Sequence, residues 1–247
     1  MSSFRITTYN IHKCQGLDRR VRPKRIAEVL KEIDADVVAL QEVAGMDEAA
    51  REHNHVHSIA EELGMDFRIG ENRKLRGGAY GNALLSRFAI VEDRNHDLTW
   101  RRYEPRGCLE VTVTPPVALA GSEQRAVQIF NVHLGTGFFE RRYQAHRLFE
   151  AIGDSADLST PKIVLGDFNE WTRGLTTRLM CYHLNSAEPE QRLGRARTYP
   201  GVFPILHLDH VYYNSALKLQ RIYVHRSRLA LAASDHLPIV AEFTSRE

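Results

Sequence analysis

The sequence predicts an α+β fold in which two β-sheets pack face to face and helices cover their outer surfaces. Segments with strand-like apolar patterns outnumber segments with helical periodicity, and the helices fall in only a few of the gaps between strands. A barrel in which strand and helix alternate strictly would need a helix after almost every strand. Because no repeat, low-complexity tract or linker divides the chain, residues 1–247 are expected to form a single domain.

Eight segments have the composition of strands. The first, Phe4–Tyr9, has an alternating pattern, whereas Asp36–Gln41 and Lys162–Leu165 are compact apolar runs typical of buried strands. The remaining five are Asn82–Ser86, Cys108–Thr114, Ala126–His133, His207–Tyr213 and Leu237–Phe243.

Three segments have the periodicity of amphipathic helices. Pro23–Ile33 carries a proline in its first turn and apolar residues at i, i+3, i+4 and i+7 from Ile26. His55–Leu63 repeats this spacing. The third helix is predicted over Phe138–Ile152, with an apolar side made of Phe138, Ala145, Leu148, Phe149 and Ile152.

Composition excludes several classes of protein. The apolar fraction of 43% and charged fraction of 26% are ordinary for a globular domain, and a net charge of +2 is far from the excess of a protein that coats nucleic acid. Three cysteines without a CxxC pair indicate reduced thiols. Because we find neither a secretory signal nor an apolar run near 18 residues, we expect a cytoplasmic protein without a transmembrane segment, and no protein partner is evident.

Polar side chains recur at the ends of the apolar strands. In the stretch IVLGDFNEW, Asp167 and Asn169 lie two residues apart, so in a strand they would share one face while Phe168 packs on the other. Any one such residue is most often a turn or capping residue. Six strand ends carry one, and together they indicate an active site: Asn10, Glu42, His133, Asp167 with Asn169, Asp209, and Asp235 with His236.

The residue types in this set indicate a particular chemistry. Carboxylate and carboxamide oxygens are hard ligands that suit Mg²⁺, with Mn²⁺ as a possible substitute, and no cysteine–histidine cluster has zinc spacing. Such a metal polarises a phosphoryl oxygen. A histidine beside a carboxylate can then take the proton from an attacking water. These residues therefore predict a divalent-metal-dependent hydrolase that acts on phosphoesters.

Seven motifs, in order and spacing, resemble the endonuclease/exonuclease/phosphatase superfamily, in particular its small bacterial members. They are TYNI (8–11), LQEV (40–43), GNALLSR (81–87), NVHL (131–134), GDFN (166–169), LDHVYYN (208–214) and SDHLPIVAEF (234–243). The resemblance covers almost the whole chain. It implies the DNase I-like fold, a four-layer αββα sandwich of two mixed sheets flanked by helices.

The resemblance also implies a metal site and the groups that react. Glu42 corresponds to the main metal-binding glutamate, with Asn10 and Asp235 beside the metal. Asp167 and Asn169 correspond to the pair that handles the attacking water and the scissile phosphate.

Three further roles follow from the same resemblance. His236 corresponds to the catalytic histidine, which Asp209 would orient and which we expect to act as the general base. His133 corresponds to a second histidine that contacts the phosphate or protonates the leaving group. Arg106 and Asn82 are expected to bind substrate.

The substrate class is open between alternatives at this point. A nucleic acid is expected, a phospholipid headgroup or small phosphoester is the alternative, and a binding module without catalysis is the third hypothesis. His12 and His133 depart from the abasic-site endonucleases and argue against that branch. The basic segments TWRRYEPR (99–106) and RLGRARTYP (192–200) suit any anionic substrate. The sequence lacks a long aromatic insert of the kind that would form a hairpin docking on a membrane. It also lacks an obvious long loop that would form a wedge in a DNA groove.

Overall fold

Two six-stranded β-sheets form the centre of the described protein. The computed structural model describes residues 3–45, 54–75, 78–116, 126–153, 160–172, 174–187 and 197–245. Within these ranges, no helix has both the length and the apolar character needed to cross a membrane.

The first sheet contains strands from both ends of the chain. Its strands are β1 (Phe4–Asn10), β2 (Val37–Ala44), β3 (Asp66–Leu75), β4 (Gly78–Ser86), β11 (Leu217–Val224) and β12 (Ile239–Ser245). Their order is β11-β12-β1-β2-β4-β3. The pair β1 and β2 is parallel and the other neighbours are antiparallel.

The second sheet has the same plan. Its strands are β5 (Ala89–Asp97), β6 (Gly107–Thr114), β7 (Val127–His133), β8 (Lys162–Asp167), β9 (Asn185–Ser186) and β10 (Asp209–Tyr213), in the order β5-β6-β7-β8-β10-β9. Here β7 and β8 are the parallel pair. In both sheets the parallel strands therefore end at the same edge, which is where catalytic groups commonly collect.

Helices cover the outer faces of the sheets. They are α1 (Pro23–Ile33), α2 (His55–Leu63), α3 (Phe138–Ile152), α4 (Leu175–His183) and α5 (Arg228–Ala233). The bounds of α1, α2 and α3 confirm the predicted helices, and α1 and α3 make the crossovers between the parallel strands. The other two were not predicted, because α5 has six residues and α4 has two threonines in its first turn and lacks a regular apolar stripe.

Three apolar layers hold the four structural layers together. One lies between the first sheet and α1, α2 and α5. The second lies between the two sheets, and the third between the second sheet and α3 with α4. This arrangement is the predicted αββα sandwich.

The four strands that were not predicted are the four edge strands, β3, β5, β9 and β11. An edge strand is covered on one side only and is commonly polar, which prevents pairing with another chain. Strand β5, for example, reads AIVEDRNHD and is exposed along most of its length. The apolar pattern that identifies central strands is therefore absent from the edges.

The predicted apolar side of α3 was wrong at its first residue. Ala145, Leu148 and Ile152 are buried against the second sheet, but the Phe138 side chain is 62% exposed. Phe138 lies in the first turn of the helix, at the edge of the sheet where β7 ends, and this position is outside the apolar core.

A network of neutral polar side chains links the two sheets, just below the edge at which the parallel strands end. The amide nitrogen of Asn131 on β7 donates to the backbone carbonyls of Leu40 (2.9 Å) and Ala83 (2.8 Å) in the opposite sheet. Its oxygen accepts from Gln41 Nε2 at 2.7 Å. The Asn131 carbonyl accepts from Asn82 Nδ2 at 3.2 Å. These bonds satisfy carbonyls at the position where the register between β2 and β4 shifts.

We expect Asn131→Ala to lower the free energy of unfolding by about 2 kcal/mol or more, because it leaves buried carbonyl groups without donors. The measurement is urea denaturation in EDTA. Asn95→Ala is the matched control, since Asn95 also donates to a backbone carbonyl (Glu71, 2.9 Å) but is exposed. It should change stability by less than about 0.5 kcal/mol. Equal, small effects of both substitutions would show that the network contributes little.

Candidate active site

The candidate site begins as a row of residues across four adjacent strands of the second sheet. Gly107 on β6 pairs with His133 on β7, His133 pairs with Asp167 on β8, and Asp167 pairs with Asp209 on β10. Each of the last three is the terminal residue of its strand. Residues far apart in the chain are thus aligned at one edge of the sheet.

The Asp167 carboxylate is the point at which the two sheets meet. Asn10 Nδ2, at the end of β1 in the first sheet, donates to Asp167 Oδ2 at 2.9 Å. The Nε2 atoms of His133 and His236 each lie 3.7 Å from the same oxygen. The Asp167 side chain is almost completely buried.

The GDFN motif is a turn that directs its side chains to opposite sides. Gly166 has φ 142°, and a Cβ there would collide with the Val132 carbonyl of β7. Phe168 packs into the outer apolar layer, as predicted. Asn169 lies beyond the strand with φ 49°; its backbone nitrogen donates to Asp167 Oδ1 at 2.9 Å and its amide to the Leu134 carbonyl at 2.9 Å. The Asp–Asn proximity therefore arises from a turn and not from the pleat of a strand, which was the predicted cause.

Asp209 and His236 form the carboxylate–histidine pair that the sequence suggested. His236 Nδ1 lies 2.9 Å from Asp209 Oδ2, which leaves Nε2 facing Asp167. Asp209 Oδ1 is buried and has no hydrogen-bond partner among the described residues. The neighbouring His210 points to the other face of the sheet, where its ring packs edge-on against Phe168.

Two carboxylates determine the charge of His236. Burial alone would lower the pKa of His236, but the Asp209 and Asp167 carboxylates outweigh it and raise the pKa to about 10. For Asp167, burial and the charge of Asp209 raise the pKa to about 6, against the opposing effect of His236 and two hydrogen bonds. In the absence of a metal, the site therefore holds an imidazolium between two acidic groups.

His133 is held in its neutral form. Burial and the nearby Arg106 guanidinium keep the pKa of His133 well below its usual value. Arg106 Nη1 lies 2.9 Å from the His133 ring nitrogens, and Nη2 donates to Glu104 at 2.8 Å. A neutral ring suits contact with a phosphate better than it suits protonation of a leaving group.

The two carboxylates expected to hold the metal each face a basic side chain of one unusual turn. His12, Lys13 and Cys14 all have positive φ, between 44° and 60°, a conformation that is costly for non-glycine residues. The turn places His12 Nδ1 3.1 Å from Asp235 Oδ2 and Lys13 Nζ 3.8 Å from Glu42 Oε2. The hydrogen bond to Asp235 raises the pKa of His12. The sequence alone left open whether His12 belongs to the site. In the structure His12 contacts Asp235, one of the site carboxylates.

The donor set fits a hard divalent cation. Glu42 has a positive φ of 56° at a bulge in β2, and its Oε1 lies 3.3 Å from Asn10 Nδ2. Burial would raise the pKa of Asp235, but the hydrogen bond from His12 and the charge of His236 lower it, so this carboxylate is ionised. The Glu42 and Asp235 carboxylates contact His12, Lys13, the Asn10 amide and the Ser234 hydroxyl, and carboxylate oxygens are ligands that Mg²⁺ prefers.

A second group of possible ligands fits a metal less well. Ligand atoms of Asp167, Asp209 and His236 lie within 4.8 Å of one another. However, His236 Nδ1 is already bonded to Asp209, and the ring carries a proton. The geometry of these three residues therefore favours a hydrogen-bonded ion pair over a metal site.

The structure does not bring every predicted residue to the open part of the site. Asn82 is fully buried below it, and its amide nitrogen donates to the carbonyls of Gly107 and Asn131, so this geometry supports a role in joining the sheets and not the predicted contact with substrate. Arg106 does reach the cluster through His133. Of the basic segment 192–200, residues 192–196 lie outside the described residues.

Sequence reasoning missed several residues around the site. Lys13 lies beside Glu42, and Tyr199 lies with its ring 5.0 Å from that of His236. Arg73 bonds Glu104 at 3.0 Å and stacks on the Tyr80 ring. Tyr80 and Lys13 lie close to the motifs GNALLSR and TYNI, and this proximity could have identified them. Arg73 lies on an edge strand that carries no such motif.

Comparisons with known proteins show the family and the fold of the chain. The model of the Endonuclease/Exonuclease/phosphatase family matches residues 7–236. The chain is 32% identical to the uncharacterized protein YbhP of Escherichia coli K12, over 97% of this chain and 96% of YbhP. Among solved structures, a family member from Bacteroides vulgatus has a TM-score of 0.79 at 15% identity, with 100% of both chains covered. The human Nocturnin catalytic domain with bound sulfate has a TM-score of 0.78 at 21% identity, covering 99% of this chain and 95% of that one.

The charge on His236 makes a prediction about pH. Because the folded pKa of His236 (about 10) is above its usual 6.5, the ion pair stabilises the fold fully below pH 6.5, and this contribution is lost as the pH rises through about 10. In EDTA, imidazole NMR should show His236 protonated at pH 8. Asp209→Asn should lower the pKa of His236 and reduce stability at pH 7.

Asp93→Asn is the control, because Asp93 is an exposed carboxylate bonded to Arg68 on an edge strand. It should leave the His236 titration unchanged. A His236 pKa near 6.5 that does not respond to Asp209→Asn would contradict the charge assignment.

Proposed function

The chain belongs to the endonuclease/exonuclease/phosphatase family, and from its site we propose a divalent-metal-dependent hydrolase of phosphodiester bonds, formed by one domain over residues 1–247. The observation that carries the proposal is the convergence of Asn10, His133 and His236 on one buried oxygen of Asp167. A binding module without catalysis is disfavoured, because every residue that the family resemblance assigns to catalysis is present in the sequence.

Glu42, with Asp235 and Asn10, would hold Mg²⁺ or Mn²⁺. When bound, the metal would polarise a phosphoryl oxygen and offset the charge that develops on it. Lys13 and His12 would release their carboxylates to the cation, so the basic turn keeps the acidic site neutralised before the metal arrives.

The proton chemistry belongs to Asp167 and His236. Asp167, with Asn169 beside it, would position the attacking water and take its proton as the oxygen forms its bond to phosphorus and the bond to the leaving oxygen breaks. A pKa of about 6 suits a general base near neutral pH. His236 was expected to be the base, but at a pKa of about 10 it first has to lose a proton. Charged and held by Asp209, it is better suited to stabilising negative charge on the phosphate.

The substrate class depends on the loops around the reacting groups, because those groups contact only the phosphate. A nucleic acid is the class expected from the sequence, and aromatic residues interleaved with arginines in 99–106 support it. A phospholipid headgroup is the second candidate, and exposed apolar residues around the mouth of the site favour it. Cytoplasmic location remains part of the proposal; the buried free thiols of Cys14 and Cys108 are compatible with it.

Hydrolysis of bis(p-nitrophenyl) phosphate should stop in EDTA and return with Mg²⁺ or Mn²⁺. Glu42→Gln should raise the Mg²⁺ concentration for half-maximal activity by at least about tenfold, since even groups that only orient a metal ligand contribute about 10–100-fold to affinity. Glu61→Gln, at an exposed position on α2, is the control and should leave the titration unchanged. Full activity in excess EDTA would exclude the metal-dependent mechanism.

The pair Asp209 and His236 should act as a unit. His236→Ala should lower kcat by about 10²–10³-fold, the usual effect of removing a group that stabilises transition-state charge. Asp209→Asn should lose much of the same factor, and the double variant should be little worse than the worse single variant. His210→Ala, on the opposite face, should be far better tolerated. Fully multiplicative effects, or a more damaging His210→Ala, would show that the pairing has no role in catalysis.

A further inference from the structure

Four segments surround the candidate site at the edge of the second sheet, and we call them the rim segments. They are residues 98–106, 134–143, 168–172 and 197–208. Strands β6 and β10 run antiparallel to β7 and β8, so the segments that enter β6 and β10 lie at the same edge as those that leave β7 and β8. The topology therefore collects all four around His133, Asp167 and Asp209.

The rim segments carry most of the exposed apolar side chains of the described protein. Of its twelve exposed large hydrophobic residues, eight lie in these segments: Tyr103, Phe138, Phe139, Tyr143, Trp171, Val202, Phe203 and Ile205. Scattered exposed apolar residues are normal, but this concentration around one site marks a surface that meets something apolar.

The exposed charges of the described rim residues have one sign. They are Arg101, Arg102, Arg142 and Arg197. The acidic groups are paired or buried. Glu104 is partly exposed and bonds Arg73 and Arg106, whereas Glu140 and Glu170 are buried and accept from the Gly137 nitrogen and from Thr177. The exposed uncharged polar residues are two threonines, Thr136 and Thr172.

Direct contacts join the segments into one surface. The Tyr103 ring lies against Gly137. Arg141 Cζ lies 5.4 Å from the centre of the Trp171 ring. The Phe168 nitrogen donates to the Leu208 carbonyl at 2.9 Å. Each rim segment therefore contacts the next at this edge of the second sheet.

The apolar tip of the last segment is held outward beside the catalytic histidine. Ile205 N donates to the Tyr199 carbonyl at 2.9 Å, and Gly201 N donates to the Asp235 carbonyl at 2.6 Å, so the turn is fixed at its base. Val202, Phe203 and Ile205 are 61%, 76% and 50% exposed. The sequence has no long aromatic insert, but the short turn in YPGVFPIL exposes three apolar side chains at one tip.

We propose that the rim segments dock on the surface of an anionic phospholipid bilayer and that the substrate is a phosphoester in its headgroup layer. The assignment of the substrate rests on the proposed hydrolase function, whereas the docking does not. Phenylalanine, valine and isoleucine can enter the acyl boundary, tryptophan and tyrosine favour the headgroup level, and arginines bind anionic lipid. The active site would then face the headgroup phosphates.

Two features favour a bilayer over a nucleic acid. Valine and isoleucine gain from burial in hydrocarbon but offer no ring on which a base can stack. The described exposed rim residues also include no asparagine, glutamine, lysine or acidic group, so contacts with base edges would rest mainly on arginine and threonine. Stacking on Trp100, Tyr103 and Trp171 is the feature that both partners could use.

The test is flotation of the full chain with vesicles of phosphatidylcholine, alone or with phosphatidylglycerol, in EDTA. The protein should bind the mixed vesicles and bind them less at high salt. The triple variant Val202→Ser, Phe203→Ser, Ile205→Ser should bind at least about tenfold more weakly. Arg101→Gln with Arg102→Gln should lose about fivefold per arginine, on anionic vesicles only. Tyr182→Ser, which removes an 84% exposed ring outside the rim, is the matched control and should bind normally.

Each outcome separates docking from hydrolysis. Hydrolysis of bis(p-nitrophenyl) phosphate without vesicle binding overturns docking and leaves the hydrolase function standing. Vesicle binding that needs the apolar tip, in a protein that hydrolyses neither the soluble ester nor the lipid, supports docking and overturns the hydrolase function. Unaltered vesicle binding by the triple variant, with weaker binding to a single-stranded oligothymidylate, overturns the bilayer in favour of nucleic acid. Circular dichroism of each variant shows that it is folded.

Discussion

The burial of the Asp167 carboxylate is the constraint from which the rest of the site follows. A carboxylate with almost no contact with water is costly unless hydrogen bonds and a counter-charge surround it. Here Asn10 from the opposite sheet and the Asn169 backbone supply the bonds, and His236 supplies the charge. His236 is charged because the Asp209 and Asp167 carboxylates together outweigh the effect of its burial. One oxygen of Asp167 thus receives contacts from both sheets and lies beside the proposed acid–base groups.

The neutral network beneath Asp167 makes that geometry possible. Asn131, Gln41 and Asn82 connect the sheets with hydrogen bonds that leave no net charge in the interior. They hold the two sheets in a fixed relation just below the active edge, so that Asn10 can reach Asp167. A purely apolar layer would hold the sheets together without specifying that relation, because apolar contacts have little directionality.

The charged residues form two groups, one at the site and one on the rim segments outside it. The partly buried carboxylates of Asp235 and Glu42 face His12 and Lys13, and Arg106 faces the His133 ring. Outside them, exposed arginines and apolar side chains face solvent on the rim segments. An acidic centre that binds a cation and a basic, apolar rim that meets an anionic surface would bring a phosphate to the metal, which unites the proposed chemistry with the proposed docking.

The sequence by itself determined the central strands, the three amphipathic helices and the polar residues that end the strands. Those features are local: a strand buried on both faces must be apolar, and a catalytic residue at its end interrupts that pattern. Only the tertiary structure decided the edge strands, the buried position of Asn82, the pairing of Lys13 with Glu42 and the gathering of apolar residues on the rim. An edge strand carries no apolar pattern, and an asparagine reads the same whether it joins sheets or binds substrate. The rim comes from four segments that are adjacent only because β6, β7, β8 and β10 pair side by side, and that register is a property of the folded sheet.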